Sequence, residues 1–261
     1  MALLRCDFFS DVLGTGTSMS VILPQPARAA QIGMASAAET EEPPPVLYLL
    51  HGLSDDATTW TRRTSIERYA TERGLAVVMP QVGRSFYVDT VGGERYGTFL
   101  TEELPAVVQR FFRVSDARED TFVTGLSMGG YGAMRWALTH PHRFAAAASL
   151  SGALDVATLQ PHRADLFPRI FGEADIRGTE HDLLALLERA DIAALPPLYA
   201  VCGTEDELLP TQEAFASAAE RAGADLTAVT RPGRHEWGFW DATIQDVLAW
   251  LPVRTGEPSP A

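Results

Sequence analysis

The sequence contains no lysine, and all 21 of its basic residues are arginine. This absence excludes any chemistry that forms a Schiff base on a lysine amine. The only two cysteines, Cys6 and Cys202, are too few for a disulfide framework, and no Cys/His spacing matches a zinc site. No stretch approaches the roughly 18 consecutive apolar residues of a membrane-spanning helix, so none is expected.

Positive charge is scarce relative to negative charge, because 34 acidic residues leave a formal net charge of −13 and a sequence pI of about 4.8. Such a surface repels phosphate groups, which argues against nucleic acid or an anionic membrane as a partner. The first ten residues show no basic region followed by a long apolar run, so no signal peptide is predicted. We therefore expect a cytoplasmic protein, and the sequence leaves a homo-oligomer open.

Most of the chain alternates short apolar runs with runs of helical periodicity, and 46% of its 261 residues are hydrophobic. The apolar runs predict buried strands at residues 46–50, 75–79, 121–124, 144–150, 198–202 and 226–230. Helices are predicted within residues 61–73, 99–111, 130–138, 183–189, 211–221 and 243–251. An antiparallel edge pair is predicted at residues 3–9 and 17–23. We therefore expect an α/β protein, a single domain over residues 1–261, with helices on both faces of a mostly parallel sheet of about eight strands.

Three segments depart from this alternation. Residues 24–45 are rich in proline, alanine, serine and glutamate, which predicts an exposed loop insertion. Residues 153–194 contain the helical run 183–189 but no clear strand, and we interpret them as a small cap region. Pro105 lies inside the helical pattern of residues 99–111, which predicts a kink or a helix start at that position.

The pattern Gly-x-Ser-x-Gly occurs as Gly-Leu-Ser-Met-Gly at residues 125–129. An apolar run precedes it and a helical run follows it, which is the context of a nucleophile elbow. In such a turn the backbone is strained and small residues are needed on both sides of the serine. The five-residue pattern alone is only moderately specific, so Ser127 becomes a candidate nucleophile if partners for it can be found.

A serine hydroxyl needs a base, and the base needs an orienting carboxylate. After an elbow of this kind the carboxylate and then the histidine follow along the chain. His235 follows the last predicted strand, and Asp206 follows the strand at residues 198–202, so both loops lie at the same sheet edge as Ser127. Glu205 and Glu207 compete with Asp206, but the shorter side chain is the better candidate for a buried hydrogen bond.

A second oxyanion donor should come from the loop after the strand at residues 46–50. The N–H of Leu53 is the candidate there, and it would act with the N–H of Met128, the residue after the nucleophile. We interpret His51, in the same loop, as a packing residue rather than a catalytic base. Ser54 and Asp55 are predicted to cap the helix that follows.

With these motifs in place, the chain resembles the esterase branch of the α/β-hydrolases, which includes tributyrin esterases, S-formylglutathione hydrolases and feruloyl esterases. The resemblance runs from about residue 46 to residue 251 and looks closest to the tributyrin esterases. It is carried by Leu-Leu-His-Gly-Leu-Ser (49–54), Gly-Leu-Ser-Met-Gly-Gly-Tyr-Gly (125–132), Cys-Gly-Thr-Glu-Asp (202–206) and His-Glu-Trp-Gly-Phe-Trp (235–240).

The resemblance implies the α/β-hydrolase fold, with Ser127 as nucleophile, Asp206 as orienter and His235 as base. It also implies that the N–H groups of Leu53 and Met128 form the oxyanion hole. The expected activity is hydrolysis of a short-chain carboxylic ester, a small-molecule substrate, without a metal or cofactor. Trp60, Tyr87, Tyr131 and Trp237 are predicted to line the substrate pocket.

The sequence leaves other activities open. S-formylglutathione hydrolases usually carry a cysteine in the loop that corresponds to residues 51–59, and this chain has none there. That departure argues against S-formylglutathione as substrate, although other thioesters are still allowed. Acyl transfer to an alcohol other than water is a further alternative, and so is a hydrolase fold that binds a ligand without turnover.

Overall fold

The structure, a computed structural model, describes residues 1–25 and 42–254. Its described part is built around one sheet of eight strands. In chain order these strands are β1 Ala2–Ser10, β2 Thr15–Leu23, β3 Val46–Leu50, β4 Ala76–Pro80, β5 Thr121–Leu126, β6 Ala146–Leu150, β7 Leu198–Gly203 and β8 Leu226–Arg231. Most of the predicted loop insertion at residues 24–45 lies outside the described residues.

The strands are ordered β1-β2-β4-β3-β5-β6-β7-β8 across the sheet. The six strands from β3 to β8 are parallel to their neighbours within that group. In contrast, β2 pairs antiparallel with both β1 and β4. The predicted fold class, a mostly parallel sheet with an antiparallel N-terminal edge pair, is confirmed.

Ten α-helical segments and a π-helical turn accompany the strands in the described residues. They are α1 Thr59–Arg63, α2 Ile66–Glu72, α3 Tyr96–Thr98, α4 Leu104–Phe111, α5 Met128–Thr139, α6 Val156–Leu159, α7 Phe167–Phe171, α8 Leu183–Arg189, α9 Leu209–Ala222 and α10 Trp237–Trp250. The π-helical turn, Phe99–Glu103, joins α3 to α4, and Pro105 lies in the first turn of α4, where a proline is tolerated.

Two helix predictions were wrong in their bounds. The helix expected within residues 61–73 is divided into α1 and α2, because Thr64 is extended and its hydroxyl donates to the Trp60 carbonyl at 2.7 Å. The last helix, expected from residue 243, already begins at Trp237. Phe239 and Trp240 are buried and stabilise its first turns. Gly238 interrupts the apolar pattern there, so helical periodicity did not predict these turns.

Hydrophobic clusters cover both faces of the sheet. Along β3, Val46, Tyr48 and Leu50 point into one cluster, whereas Leu47 and Leu49 point into the other. The first cluster includes side chains from α4, α5 and α9, and the second includes side chains from α2 and α10. Because β3 is buried on both faces, its sequence is a continuous apolar run rather than an alternating one.

The predicted cap region, residues 153–194, contains α6, α7 and α8. Phe167 and Phe171 of α7 pack edge-on against Phe86, with ring centroids 5.2 and 5.7 Å away. The Tyr131 hydroxyl of α5 donates to the His181 carbonyl at 3.0 Å, just before α8. These contacts fasten the segment to the rest of the domain, and its assignment as a cap stays a prediction.

Among the described residues, no helix has both the length and the apolar character needed to cross a membrane.

Candidate active site

Ser127 occupies the sharp turn between β5 and α5. Its φ and ψ angles are 54° and −117°, a conformation that residues other than glycine rarely adopt. A Cβ atom added to Gly125 would lie 2.5 Å from the carbonyl carbon of Gly129, and one added to Gly129 would collide with the Leu50 carbonyl group. Both flanking glycines are therefore needed for the close approach of strand, turn and helix, as the motif predicts.

We expect Gly129→Ala to lower the free energy of unfolding by roughly 1–3 kcal/mol, because the added methyl group meets backbone atoms that cannot rotate away. Gly238→Ala in α10 is the matched control, since nothing lies within 4 Å of a Cβ atom there. That change should be neutral or stabilise the helix by up to about 1 kcal/mol. Urea unfolding measures both, and equal midpoints for the two variants would contradict the account of the elbow.

The side chains of Ser127, His235 and Asp206 form a continuous chain of hydrogen bonds. His235 Nε2 lies 3.1 Å from Ser127 Oγ, and His235 Nδ1 lies 3.0 Å from each carboxylate oxygen of Asp206. The three residues follow β5, β7 and β8, whose carboxyl ends meet at one edge of the parallel sheet. The structure thus brings together the three residues that chain order selected.

Burial separates Asp206 from its two acidic neighbours. The Asp206 side chain is 0% exposed, whereas Glu205 and Glu207 are both exposed. Glu205 instead pairs with Arg234, with 2.9 Å between Oε2 and Nε. Of the three candidate carboxylates, only Asp206 therefore contacts His235.

The protonation of this chain of hydrogen bonds follows from the environment of Asp206. Burial raises the pKa of Asp206, but hydrogen bonds from His235 and from the Leu208 N–H outweigh it and leave the pKa below its ordinary value. An ionised carboxylate only accepts hydrogen bonds, so Nδ1 of His235 carries the proton and Nε2 is free to accept from Ser127. The carboxylate also stabilises the fold above the unfolded pKa of roughly 3.9, and this contribution is lost as the pH falls through the folded pKa.

Two glycines that the sequence analysis did not single out allow these loops to meet. Gly203 ends β7, and a Cβ atom there would lie 2.5 Å from the Gly233 carbonyl carbon. The N–H of Glu205 donates to the Gly233 carbonyl at 3.0 Å. This backbone contact holds Asp206 next to His235. The available signal was a glycine shortly before each predicted site residue, since Gly203 precedes Asp206 by three positions and Gly233 precedes His235 by two.

The loop of Leu53 lies directly beside the elbow. A Cβ atom on Gly52 would lie 2.7 Å from the Leu126 side chain, and Leu53 itself is half-buried. Met128 is the first residue of α5, so its N–H has no carbonyl four residues earlier within the helix to bind. Both predicted oxyanion donors therefore lie on segments that flank Ser127.

His51 braces this loop, as its interpretation as a packing residue predicts. The side chain is 1% exposed, and its Nε2 accepts from the Val82 N–H at 3.3 Å. Nδ1 must then carry the proton, and it donates to the Gly52 carbonyl at 2.8 Å. Burial lowers the pKa of His51, in keeping with a neutral ring.

Asp55 braces the same loop, and the prediction that it caps the next helix was wrong. Its carboxylate accepts from the Gly52 N–H at 3.2 Å within the loop. The turn before α1 is instead held by Asp56, which accepts from the Thr58 N–H at 2.8 Å.

Three of the four predicted pocket residues are fully packed. Trp60 and Tyr87 are each 1% exposed and Tyr131 is 0% exposed. Trp60 Nε1–H donates to the Leu50 carbonyl at 3.2 Å, and the Tyr87 hydroxyl donates to the His51 carbonyl at 2.8 Å. The structure therefore gives these side chains a supporting role, because their surface is already used in packing around the site loops.

Trp237 is the predicted pocket residue that keeps some exposure. It is half-buried and packs edge-on against Trp60 and Trp240, with ring centroids 5.3 and 5.2 Å away. Trp240 in turn packs edge-on against the His235 ring at 4.9 Å. This row of aromatic rings connects His235 to Trp237, which is the one of the four predicted pocket residues that is not fully buried.

Ser151 is a neighbour of the site that the sequence analysis did not identify. It follows β6, between the strands that lead to Ser127 and Asp206, and its φ angle is 47°. Its N–H donates to the Val201 carbonyl at 2.7 Å, and its hydroxyl helps to lower the pKa of Asp206. A serine directly after a buried strand at this sheet edge was the signal for it.

Comparison with known proteins places the chain in a family. The family profile described as "Putative esterase" matches residues 12–251. The chain belongs to this esterase family. The esterase is 29% identical over 266 residues to an acetyl esterase of Caldicellulosiruptor saccharolyticus, a match that covers 96% of this chain and 98% of that protein. The family resemblance predicted from the motifs is confirmed, and the esterase is a carboxylic ester hydrolase.

Solved structures agree with this assignment. The esterase is similar to FphF, a fluorophosphonate-binding serine hydrolase of Staphylococcus aureus, with 34% identity, a TM-score of 0.87 and coverage of 97% of this chain and 99% of that one. It is also similar to the S-formylglutathione hydrolase FrmB of Staphylococcus aureus, with 34% identity, a TM-score of 0.83 and coverage of 96% and 98%. The fold of the esterase is therefore that of the α/β-hydrolases.

Proposed function

We propose that this esterase hydrolyses short-chain acyl esters with Ser127 as nucleophile, His235 as general base and Asp206 as orienting carboxylate. The observation that carries the proposal is the position of His235, whose two ring nitrogens lie within 3.1 Å of Ser127 Oγ and of the Asp206 carboxylate. This arrangement supplies the proton acceptor that a serine hydroxyl lacks on its own.

The first half of the reaction forms an acyl-enzyme. Nε2 of His235 takes the proton of Ser127 as Oγ attacks the ester carbonyl carbon. The negative charge that develops on the carbonyl oxygen would be held by the N–H groups of Leu53 and Met128. His235 then gives its proton to the leaving alkoxide, which departs as the alcohol.

The second half releases the acid. His235 takes a proton from water, and the hydroxide oxygen attacks the carbonyl carbon of the acyl-enzyme. The bond between this carbon and Ser127 Oγ breaks, and the serine oxygen recovers its proton from His235. Asp206 remains ionised throughout, because its role is to hold the Nδ1–H tautomer and to stabilise the imidazolium.

A small acyl group is supported by the similarity to an acetyl esterase. We expect the kcat/KM for p-nitrophenyl esters to be highest between acetyl and butyryl and to fall by about tenfold or more at octanoyl. Initial rates over an acyl-length series measure this preference. A maximum at octanoyl or longer would contradict the short-chain assignment while leaving the roles of Ser127 and His235 intact.

Thioester hydrolysis is the second candidate, because the sequence identity to an S-formylglutathione hydrolase, 34%, equals that to FphF. Against it stands the absence of cysteine from residues 51–59. The kcat/KM for S-formylglutathione and for p-nitrophenyl acetate, measured on one preparation, separates the two activities. Product analysis with an added alcohol tests acyl transfer in the same assay.

A cytoplasmic location stays a prediction from the sequence.

A further inference from the structure

Strand β1 forms one edge of the sheet and carries an unusual amount of exposed apolar surface. Large hydrophobic side chains that are exposed in the described residues number four: Leu3 at 48%, Phe9 at 65%, Val91 at 64% and Phe111 at 50%. Leu3 and Phe9 belong to β1, and Phe111 packs on Phe8 of β1 with ring centroids 6.4 Å apart. Three of the four therefore lie along a single sheet edge. Among residues 1–25 and 42–254, no strand pairs with the outer side of β1, and an unpaired edge invites another strand.

The exposed face of β1 also carries one charge of each sign. Leu3, Arg5, Asp7 and Phe9 alternate along the strand and share this face. The opposite face, with Cys6 and Phe8, packs against the core. Arg5 Nη2 donates a hydrogen bond to Asp7 Oδ1 at 3.2 Å, and both side chains are 66% exposed.

The order of these residues is self-complementary. Cys6 is the midpoint of β1, which runs from Ala2 to Ser10. If a second copy of the strand pairs antiparallel about a two-fold axis at Cys6, the residue three before the midpoint meets the residue three after it. Leu3 then faces Phe9 of the partner subunit, and Arg5 faces Asp7 of the partner subunit. The axis repeats each contact, so two apolar pairs and two opposite-charge pairs form on one face.

We propose that a second copy of this chain binds at β1, so that the two sheets join into one continuous sheet across a two-fold axis at Cys6. Charged residues on an edge strand normally discourage pairing with other strands. Here the two charges have opposite signs and lie symmetrically about the midpoint, so they repel misaligned strands and attract a second copy in this register. Phe111 of α4 adds apolar surface to this contact, because it packs on Phe8 of β1 in each subunit.

The other edge of the sheet does not offer the same surface. Strand β8, with the sequence Leu-Thr-Ala-Val-Thr-Arg, exposes Thr227, Ala228 and Thr230. Its terminal Arg231 is paired with Asp246 of α10, with 2.6 Å between Nη1 and Oδ2. Small side chains and a charge that is already paired give β8 no comparable self-complementary pattern.

Charge reversal tests the proposal. The intact protein should sediment as a dimer of about 57 kDa, twice the 28.3 kDa chain. Arg5→Asp or Asp7→Arg alone turns two opposite-charge pairs into two like-charge pairs and should raise the dimer Kd by roughly tenfold or more. The double variant restores opposite charges across the interface between the two copies, and its Kd should return to within about threefold of the original value.

Sedimentation velocity over a concentration series measures these constants, with circular dichroism to verify that each variant is folded. Recovery of the dimer in the double variant supports the proposed register. A 28.3 kDa species at every concentration overturns the proposal. A dimer whose Kd is unchanged by both single substitutions also overturns it, because the interface between the two copies must then lie elsewhere.

Cys6 provides an independent test of the register. Facing residues in antiparallel strands have Cα atoms about 4.5–5.5 Å apart, which is within the range that a disulfide spans. Copper(II)–phenanthroline, which takes up the two electrons while the two thiol protons pass to solvent, should therefore link Cys6 to Cys6 of the partner subunit. Cys202 is 0% exposed and cannot substitute for it. A covalent dimer that is lost in Cys6→Ser supports the register, whereas no covalent dimer overturns it.

Discussion

Ser127→Ala should lower kcat/KM for p-nitrophenyl acetate by about 10,000-fold or more, because the variant has no oxygen to attack the carbonyl carbon. The fold should survive, since alanine is smaller than serine and the φ angle of 54° is already accommodated by the turn. We expect an unfolding midpoint close to that of the unmodified protein. Steady-state kinetics and urea unfolding on the same preparation provide both readouts.

Labelling by a fluorophosphonate gives a second readout for Ser127. FphF, to which the chain is similar, is described as fluorophosphonate-binding, and the reagent bonds to an activated serine. The intact protein should be labelled and Ser127→Ala should not. Ser217→Ala, an exposed serine within α9, is the matched control and should keep both labelling and turnover. Retained turnover in Ser127→Ala would remove Ser127 from the mechanism.

Asp206→Asn should lower kcat by roughly 10,000-fold while changing KM little. An amide can donate to Nδ1 of His235, which shifts the ring proton to Nε2 and leaves no acceptor for the Ser127 hydroxyl. The turn should persist, because the amide oxygen can still accept from the Leu208 N–H, as Asp206 Oδ1 does at 2.9 Å. A large loss of kcat without a loss of folding distinguishes this effect from a structural one.

The neighbouring glutamates supply the controls for Asp206. Glu205→Gln and Glu207→Gln remove a negative charge one residue away, but both side chains are exposed. Each should therefore change kcat by less than about threefold. If Glu205→Gln proved as damaging as Asp206→Asn, the orienting carboxylate would have been misassigned.

Local sequence patterns were sufficient to predict the elements whose residue types are restricted by a single local requirement. Continuous apolar runs identified the parallel strands from β3 to β7, because a strand buried on both faces tolerates little else. Gly-x-Ser-x-Gly identified the elbow, because only glycine permits the contact between Gly129 and the Leu50 carbonyl. Chain order then selected Asp206 and His235, since both follow strands that end at the same sheet edge.

Local sequence patterns did not predict the burial of side chains that pack against distant segments of the chain. The aromatic character of Trp60, Tyr87 and Tyr131 fits a pocket and a core equally well, and tertiary packing placed all three in the core. The same limit applies to the helix at residues 61–73, whose division at Thr64 follows from a side-chain hydrogen bond to its own backbone. The contact between Gly203 and Gly233 joins two loops 30 residues apart in the chain, so the sequence around either glycine does not identify its partner.

The sequence by itself determined the α/β fold and the order of the candidate site residues along the chain. A serine in a strained turn comes first, a carboxylate in a loop second and a histidine in a loop third. The sequence could do so because turn geometry and strand burial restrict residue type locally. Only the tertiary structure decided which of three adjacent acidic residues contacts His235, which aromatic side chains retain a surface, and that β1 presents a self-complementary edge. Those outcomes depend on burial and distance between segments far apart in sequence, and these quantities exist only once the chain has folded.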